Sequence, residues 1–178
     1  PSGSLEAAHD HGLGLEMPGT GDDQDVYTVD LTTTMGDQTR WHNGHGGPFF
    51  YEDMTEQGQR SLNYTTPPLP EAVSIAGFPR VTLWVTTDTR DADVFVYLEE
   101  VDADGHAYAL SEGMLRLSYR KESPAPFADY LGLVYRRGFM QDMQPMTPGK
   151  AEKVVIDLLP TANVFDAGHR IRLRITGA

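Results

Sequence analysis

Period two governs the middle of this chain. Val81, Leu83 and Val85 alternate with Thr82, Trp84 and Thr86, and after a short polar break Val94, Val96 and Leu98 alternate with Phe95 and Tyr97. Side chains that change face at every residue belong to strands with two distinct faces. Asp102-Ala103-Asp104-Gly105 then supplies turn chemistry, with Gly105 free to take a positive φ. A third run, Met114 to Arg120, follows. The pattern predicts three consecutive strands forming a meander at the heart of an all-β domain, with Trp84, which alternates with core valines, inside it.

The flanks extend the same reading. Val26 to Asp30, Ser61 to Tyr64, Val73 to Ile75 and Val154 to Leu158 are short extended runs, and Pro67-Pro68-Leu69-Pro70 breaks one ladder from the next. Asp129 to Met146 reads as a crossing segment with one or two short strands, and Ala162 to Phe165 as a turn of helix or an irregular step. Near the end, Ile171, Leu173 and Ile175 alternate with Arg170, Arg172 and Arg174, which predicts a half-buried strand with its arginines outward. Residues 1–25, rich in Gly, Asp and Pro, read as a linker or loosely ordered lead-in, and 26–178 as a single domain. No repeat of 20 to 50 residues and no long amphipathic helix interrupts this organisation.

Charge and cysteine content narrow the function classes. Asp and Glu number 26 against 14 Lys and Arg in 178 residues, a formal charge of −12, which repels phosphate backbones, so no nucleic-acid partner is expected. No apolar run approaches the ~20 residues of a spanning helix, so a soluble chain with no membrane partner is expected, cytoplasmic or secreted. The absence of cysteine excludes disulfides, thiolate catalysis and Cys-ligated zinc. No basic segment followed by an apolar one marks a signal peptide.

Several strings invite a chemical reading. A nucleophile elbow needs Gly two residues before and after its serine, because the sharp turn has no room for side chains. No serine qualifies; Ser111 has Gly113 after it but Ala109 before it. Ser118 and Lys121 match Ser-x-x-Lys, yet three residues apart in a strand they point to opposite faces. Gly3, His9, His11 and Glu16 fit the spacing of a cupin metal motif, but Asp23 stands where a glycine is expected and no second motif follows. Glu100, Asp102, Asp104 and Gly105 echo a calcium loop, with Ser111 in place of the bidentate Glu, so a hairpin turn with solvated carboxylates is expected instead. No metal or other cofactor is expected. The long passage from Thr32 to Gly58 holds Trp41, His42, His45, Phe49, Phe50 and Tyr51, and a loop of that length covers or binds something.

Three segments carry a resemblance. Asp91 to Val101 with Asp104-Gly105, then Gly113 to Arg120, then Pro160-Thr161-Ala162-Asn163-Val164-Phe165-Asp166-Ala167-Gly168-His169-Arg170-Ile171-Arg172-Leu173, in this order, resemble the C-terminal domain of the serine hydrolases that include cocaine esterase, X-Pro dipeptidyl-peptidases and α-amino acid ester hydrolases. The similarity spans roughly Val26 to Ala178. It implies a jelly-roll β-sandwich, galactose-binding-domain-like, that is not itself catalytic. In such enzymes the Ser, Asp and His triad belongs to an α/β-hydrolase domain, which is the implied partner; a homo-oligomer is also compatible. The implied structural motif residues are Asp93, Asp104, Gly105, Arg120, Gly168, His169 and Arg170, with His169 and Arg170 holding turn carbonyls and carboxylates. Trp41, His42, Phe49 and Phe50 are the candidates for the substrate pocket or domain interface. The resemblance also implies that the sandwich lacks one or more closing strands, leaving an apolar edge bare. The alternative is a stand-alone carbohydrate- or ligand-binding jelly roll in which Trp41, Tyr51 or Trp84 stacks on a sugar.

Overall fold

The computed structural model describes residues 10–14, 24–36 and 51–178. Within them the chain forms nine strands and one single-turn helix: β1 (Asp10–Gly12), α1 (Thr55–Gly58), β2 (Leu62–Thr65), β3 (Val73–Gly77), β4 (Arg80–Val85), β5 (Asp93–Val101), β6 (Ala107–Arg116), β7 (Glu152–Asp157), β8 (Thr161–Phe165) and β9 (Arg170–Gly177). One sheet has the order β1-β2-β9-β5-β6, and the pairs β3-β8 and β4-β7 form separate ladders. Only β1 and β2 run parallel; every other pairing is antiparallel.

The core explains the layering. Val94, Val96 and Leu115 of the large sheet, with Leu117 just beyond it, bury against Val154, Ile156 and Leu158 from β7 and its end, while Val81, Leu83 and Val85 of β4 and Leu98, Leu173 and Ile175 close the cluster. Two sheets that each bury one apolar face on the other make an all-β sandwich.

The central run is therefore not a meander. Its second and third strands do form a hairpin, β5-β6, but β4 crosses to the other layer and pairs with β7 from Arg80↔Asp157 to Val85↔Glu152. Alternation gives the face of a strand and says nothing about its neighbour. The third strand also begins earlier than its apolar pattern suggests, at Ala107, and Leu117–Tyr119 forms a 3₁₀ turn. Trp84 is 69% exposed, because Val81, Leu83 and Val85 take the inner face and strict parity sends the residue between them outward. Lys153, opposite it in the ladder, lies over its ring at 5.8 Å.

Other elements differ from expectation for local reasons. Val26 to Asp30 pairs with no strand; it is held through Tyr27, whose hydroxyl donates to the Arg60 carbonyl (3.1 Å) and meets Thr176 Oγ1 (3.2 Å). Ala162 to Phe165 belongs to a strand, β8, because β3 offers it a full antiparallel partner. Residues 129–146 contain no strand, only a 3₁₀ turn at Met140–Asp142. The last strand, β9, lies inside the large sheet, paired with β2 on one side and with β5 on the other, up to Val94↔Gly177.

The two layers meet closely at Gly113. A side chain there would lie 2.9 Å from both the Asp157 carbonyl oxygen and Ile156 Cγ2, so only a glycine lets β6 pass β7 at this distance. Ser111 Oγ donates to the Leu159 carbonyl (2.6 Å) and the Leu159 amide donates to the Glu112 carbonyl (3.0 Å), fastening the same corner.

Candidate functional site

The face of the large sheet turned away from the main core is polar. Along β5, Tyr97 and Glu99 point to it; along β9, Arg172, Arg174 and Thr176; along β2, Asn63 and Thr65, with Asn63 opposite Arg174 in the ladder. The expectation of outward arginines fails here. Arg174 is 1% exposed and Glu99 0%. Arg174 Nε donates to Glu99 Oε1 at 2.5 Å, its guanidinium carbon lies 4.2 Å from the centre of the Tyr97 ring, and Nη2 reaches Met35 Sδ at 3.0 Å. The segment around Met35, together with Met54 on Val101 and Ala107, roofs this face, so the strand's second side is covered and not solvated.

Burial pushes the Glu99 carboxyl up, against the opposing pull of Arg174, and burial likewise raises the Tyr97 phenol. Glu99 Oε2 and Asn63 Oδ1 have no hydrogen-bond partner among the described residues. Beside them a cleft of about 250 Å3 opens between Leu31, Met35, Phe95, Tyr97 and Arg174. The cleft joins a cation to aromatic walls, but the cation is already held by Glu99, and no nucleophile with an adjacent base faces it.

Serine chemistry finds no support among the described residues. Ser118 Oγ donates to Asp91 Oδ2 (2.7 Å), whereas Lys121 Nζ reaches a different carboxylate, Asp142 (3.4 Å). Ser61 and Ser111 donate to backbone carbonyls. The two histidines whose rings are described each face a carboxylate: His106 faces Asp102 at 3.4 Å, and His169 Nδ1 lies 2.7 Å from Glu100 Oε1, while Glu100 Oε2 accepts from Asn163 (3.1 Å). A carboxylate-oriented imidazole without a hydroxyl beside it ties strands together and attacks nothing. No group of three His, Asp or Glu among the described residues could hold a metal ion.

The structural motif residues have distinct places. Asp93 receives both Arg116 nitrogens (2.8 and 2.7 Å), across the β5-β6 ladder. Asp104 and Gly105 form the hairpin tip, where Asp102 Oδ1 accepts from the amides of Asp104 and His106 and Gly105 has φ +95°. Arg120 donates to the Leu117 and Gln144 carbonyls. Gly168, at φ +85°, turns the chain into β9. His169 holds a carboxylate, but Arg170 is exposed and its guanidinium makes no hydrogen bond among the described residues. Trp41, His42, Phe49 and Phe50, along with His45 and the Gly3, His9 and Glu16 of the metal-like string, lie outside the described residues. Tyr51, at the margin, donates to Glu112 Oε2 (3.2 Å).

Sequence reading missed the Arg174-Glu99-Tyr97 constellation. A signal existed: residues 95, 97, 99 and 101 share one face of a strand, and a Glu there, with arginines at constant parity in a later strand, marks opposite charges on one side of a sheet.

Fold and site together define an all-β sandwich in which buried polar groups of the described residues hold strands to one another. The chain belongs to the family described as the X-Pro dipeptidyl-peptidase C-terminal non-catalytic domain, whose model matches residues 6–178. It is 37% identical over 171 residues to a protein of Mycobacterium bovis named as a serine esterase, covering 95% of this chain and 27% of that protein. It is 29% identical over 150 residues to the cocaine esterase of a Rhodococcus species, covering 84% of this chain and 23% of that enzyme. Among solved structures, an aminopeptidase from a marine-sediment thaumarchaeon superposes with a TM-score of 0.58 at 26% identity, over 71% of this chain and 20% of that one. The chain thus spans about a quarter of the length of these relatives. A stand-alone carbohydrate-binding module is not favoured by these matches. No helix among the described residues is long and apolar enough to cross a membrane.

Proposed function

We propose that this chain serves as the accessory sandwich of a serine hydrolase with esterase or dipeptidyl-peptidase activity, packing on an α/β-hydrolase domain that carries the Ser, His and Asp centre and helping to wall its substrate pocket. One observation carries the reading: a match to a domain described as non-catalytic runs from residue 6 to residue 178, in a sequence with no serine set between glycines as an elbow requires. On this reading Trp41, His42, Phe49 and Phe50 supply apolar and aromatic surface to the domain junction.

A fluorophosphonate probe separates the parts. The 178-residue chain is expected to take up no label, and the full polypeptide that carries it to be labelled on one serine outside these residues. Labelling of Ser111 or Ser118 in the isolated chain would refute the assignment.

A further inference from the structure

Between β6 and β7 the chain makes a thirty-residue excursion, 121–150, with no strand in it. Excursions of this length inside compact domains are uncommon and tend to serve a function. Six of the fourteen large hydrophobic side chains exposed among the described residues fall in the short stretch 127–143: Phe127, Tyr130, Leu131, Phe139, Met140 and Met143. Tyr130 is 93% and Met140 83% exposed.

The backbone beneath them is nevertheless fixed. The Gly132 carbonyl accepts from Arg80 (2.5 Å), the Val134 amide donates to Asp157 Oδ2 (2.6 Å), and Arg136 donates to the Val155 carbonyl (2.6 Å), so the first limb is tied to the β4-β7 layer. The Gln144 amide donates to the Ser118 carbonyl and the Met146 amide to the Arg90 carbonyl, each at 2.7 Å, and Met146 is buried in the main core. The charges of the second limb are spent within the excursion, since Arg137 and, from its start, Lys121 both meet the buried Asp142. A surface whose backbone is anchored, whose charged side chains are already hydrogen-bonded within the chain and whose aromatic and methionine tips stand in water loses little on being covered.

We infer that the strap 127–143 is the surface by which this domain docks on an apolar face of the α/β-hydrolase domain; the partner's identity rests on the function proposed above, the surface itself does not. Two arguments choose this occupant over a second copy of the chain. The relatives carry roughly three times as much polypeptide outside the matched region as within it, so a large partner travels with the domain. The chain's charge of −12 opposes pairing with itself, whereas the excursion holds four basic and three acidic residues and is close to neutral.

These 178 residues contain no cysteine, so an introduced thiol is the single one within them, and its labelling is read site by site by peptide mapping. Tyr130→Cys, Met140→Cys and, as a control at the exposed hairpin tip, Ala103→Cys are introduced singly into the 178-residue chain and into the full polypeptide. Maleimide labelling rates are read for each, normalised to the rate in concentrated urea. Labelling at positions 130 and 140 is expected to slow at least tenfold in the full polypeptide relative to the chain alone, with position 103 unchanged. Equal rates in the two, in a polypeptide that still carries a fluorophosphonate-reactive serine, overturn the docking surface and leave the proposed function standing. A polypeptide with no reactive serine overturns that function and with it the partner named here. Sedimentation of the isolated chain as a dimer that shields positions 130 and 140 overturns the choice of partner in favour of a second copy.

Discussion

At the scale of single residues, the buried Arg174-Glu99 pair decides most. Both side chains are withdrawn from water, and Glu99 keeps one oxygen without a hydrogen-bond partner among the described residues. Breaking such a pair by removing one partner strands a buried charge and costs about 3–5 kcal/mol, whereas replacing both by apolar residues of similar size is often close to neutral. Arg174→Leu is therefore expected to lower the urea midpoint sharply, and Arg174→Leu combined with Glu99→Met to recover part of the loss. A double variant as unstable as the single one would show that the guanidinium's stacking on Tyr97, and not charge compensation, holds this face. The sequence showed the parity of Arg170, Arg172 and Arg174 correctly but not its sign, because a strand with arginine on alternate positions looks solvated until something roofs it. Here Met35 and Met54 do, from segments distant in sequence.

At the scale of elements, what was legible was what local chemistry decides. Asp102 to Gly105 has the residues of a tight turn and forms one, and Val81, Val85, Val94, Val96 and Val154 face inward as their alternation requires. Partnership was not legible, since β4 carries no mark that its neighbour is β7, some seventy residues away. Ala162 to Phe165 reads as a turn of helix or an irregular step because it has little apolar pattern; its partner β3 makes it part of a strand. Gly113 is the element-level position most open to test. Gly113→Ala would drive a methyl into the Asp157 carbonyl and Ile156, and overpacking of this kind costs about 1–3 kcal/mol. Serine at the same place should do no better, and a variant as stable as the parent in a urea melt would mean that β6 and β7 are further apart than described.

For the molecule as a whole, neighbouring strands and the 121–150 excursion are tied by carboxylates whose ionised form is favoured by the fold. The Arg116 guanidinium holds Asp93 below its ordinary 3.8, and that of Arg137 does so for Asp142. Burial works against Asp157, but the Arg80 hydrogen bond and the Val134 amide outweigh it, and its pKa too is lowered. Asp30, Asp53, Asp102 and Glu152 shift the same way, whereas Glu99 is raised by burial. A depressed folded pKa gives stability that is present above the unfolded value and lost as pH falls through the folded one; the raised Glu99 contributes in the opposite sense. Seven against one, the carboxylates should make the fold acid-labile below about pH 3.8. From pH 7 towards the isoelectric point near 4.7, by contrast, falling net charge relieves self-repulsion and stability should hold or rise. The urea midpoint is thus expected to be highest near pH 5 and clearly lower at pH 3. Arg80→Gln, which removes the partner that keeps Asp157 ionised, should be less stable than the parent at pH 5 and show a smaller drop between pH 5 and pH 3. If the parent is as stable at pH 3 as at pH 5, these ion pairs do not stabilise the fold.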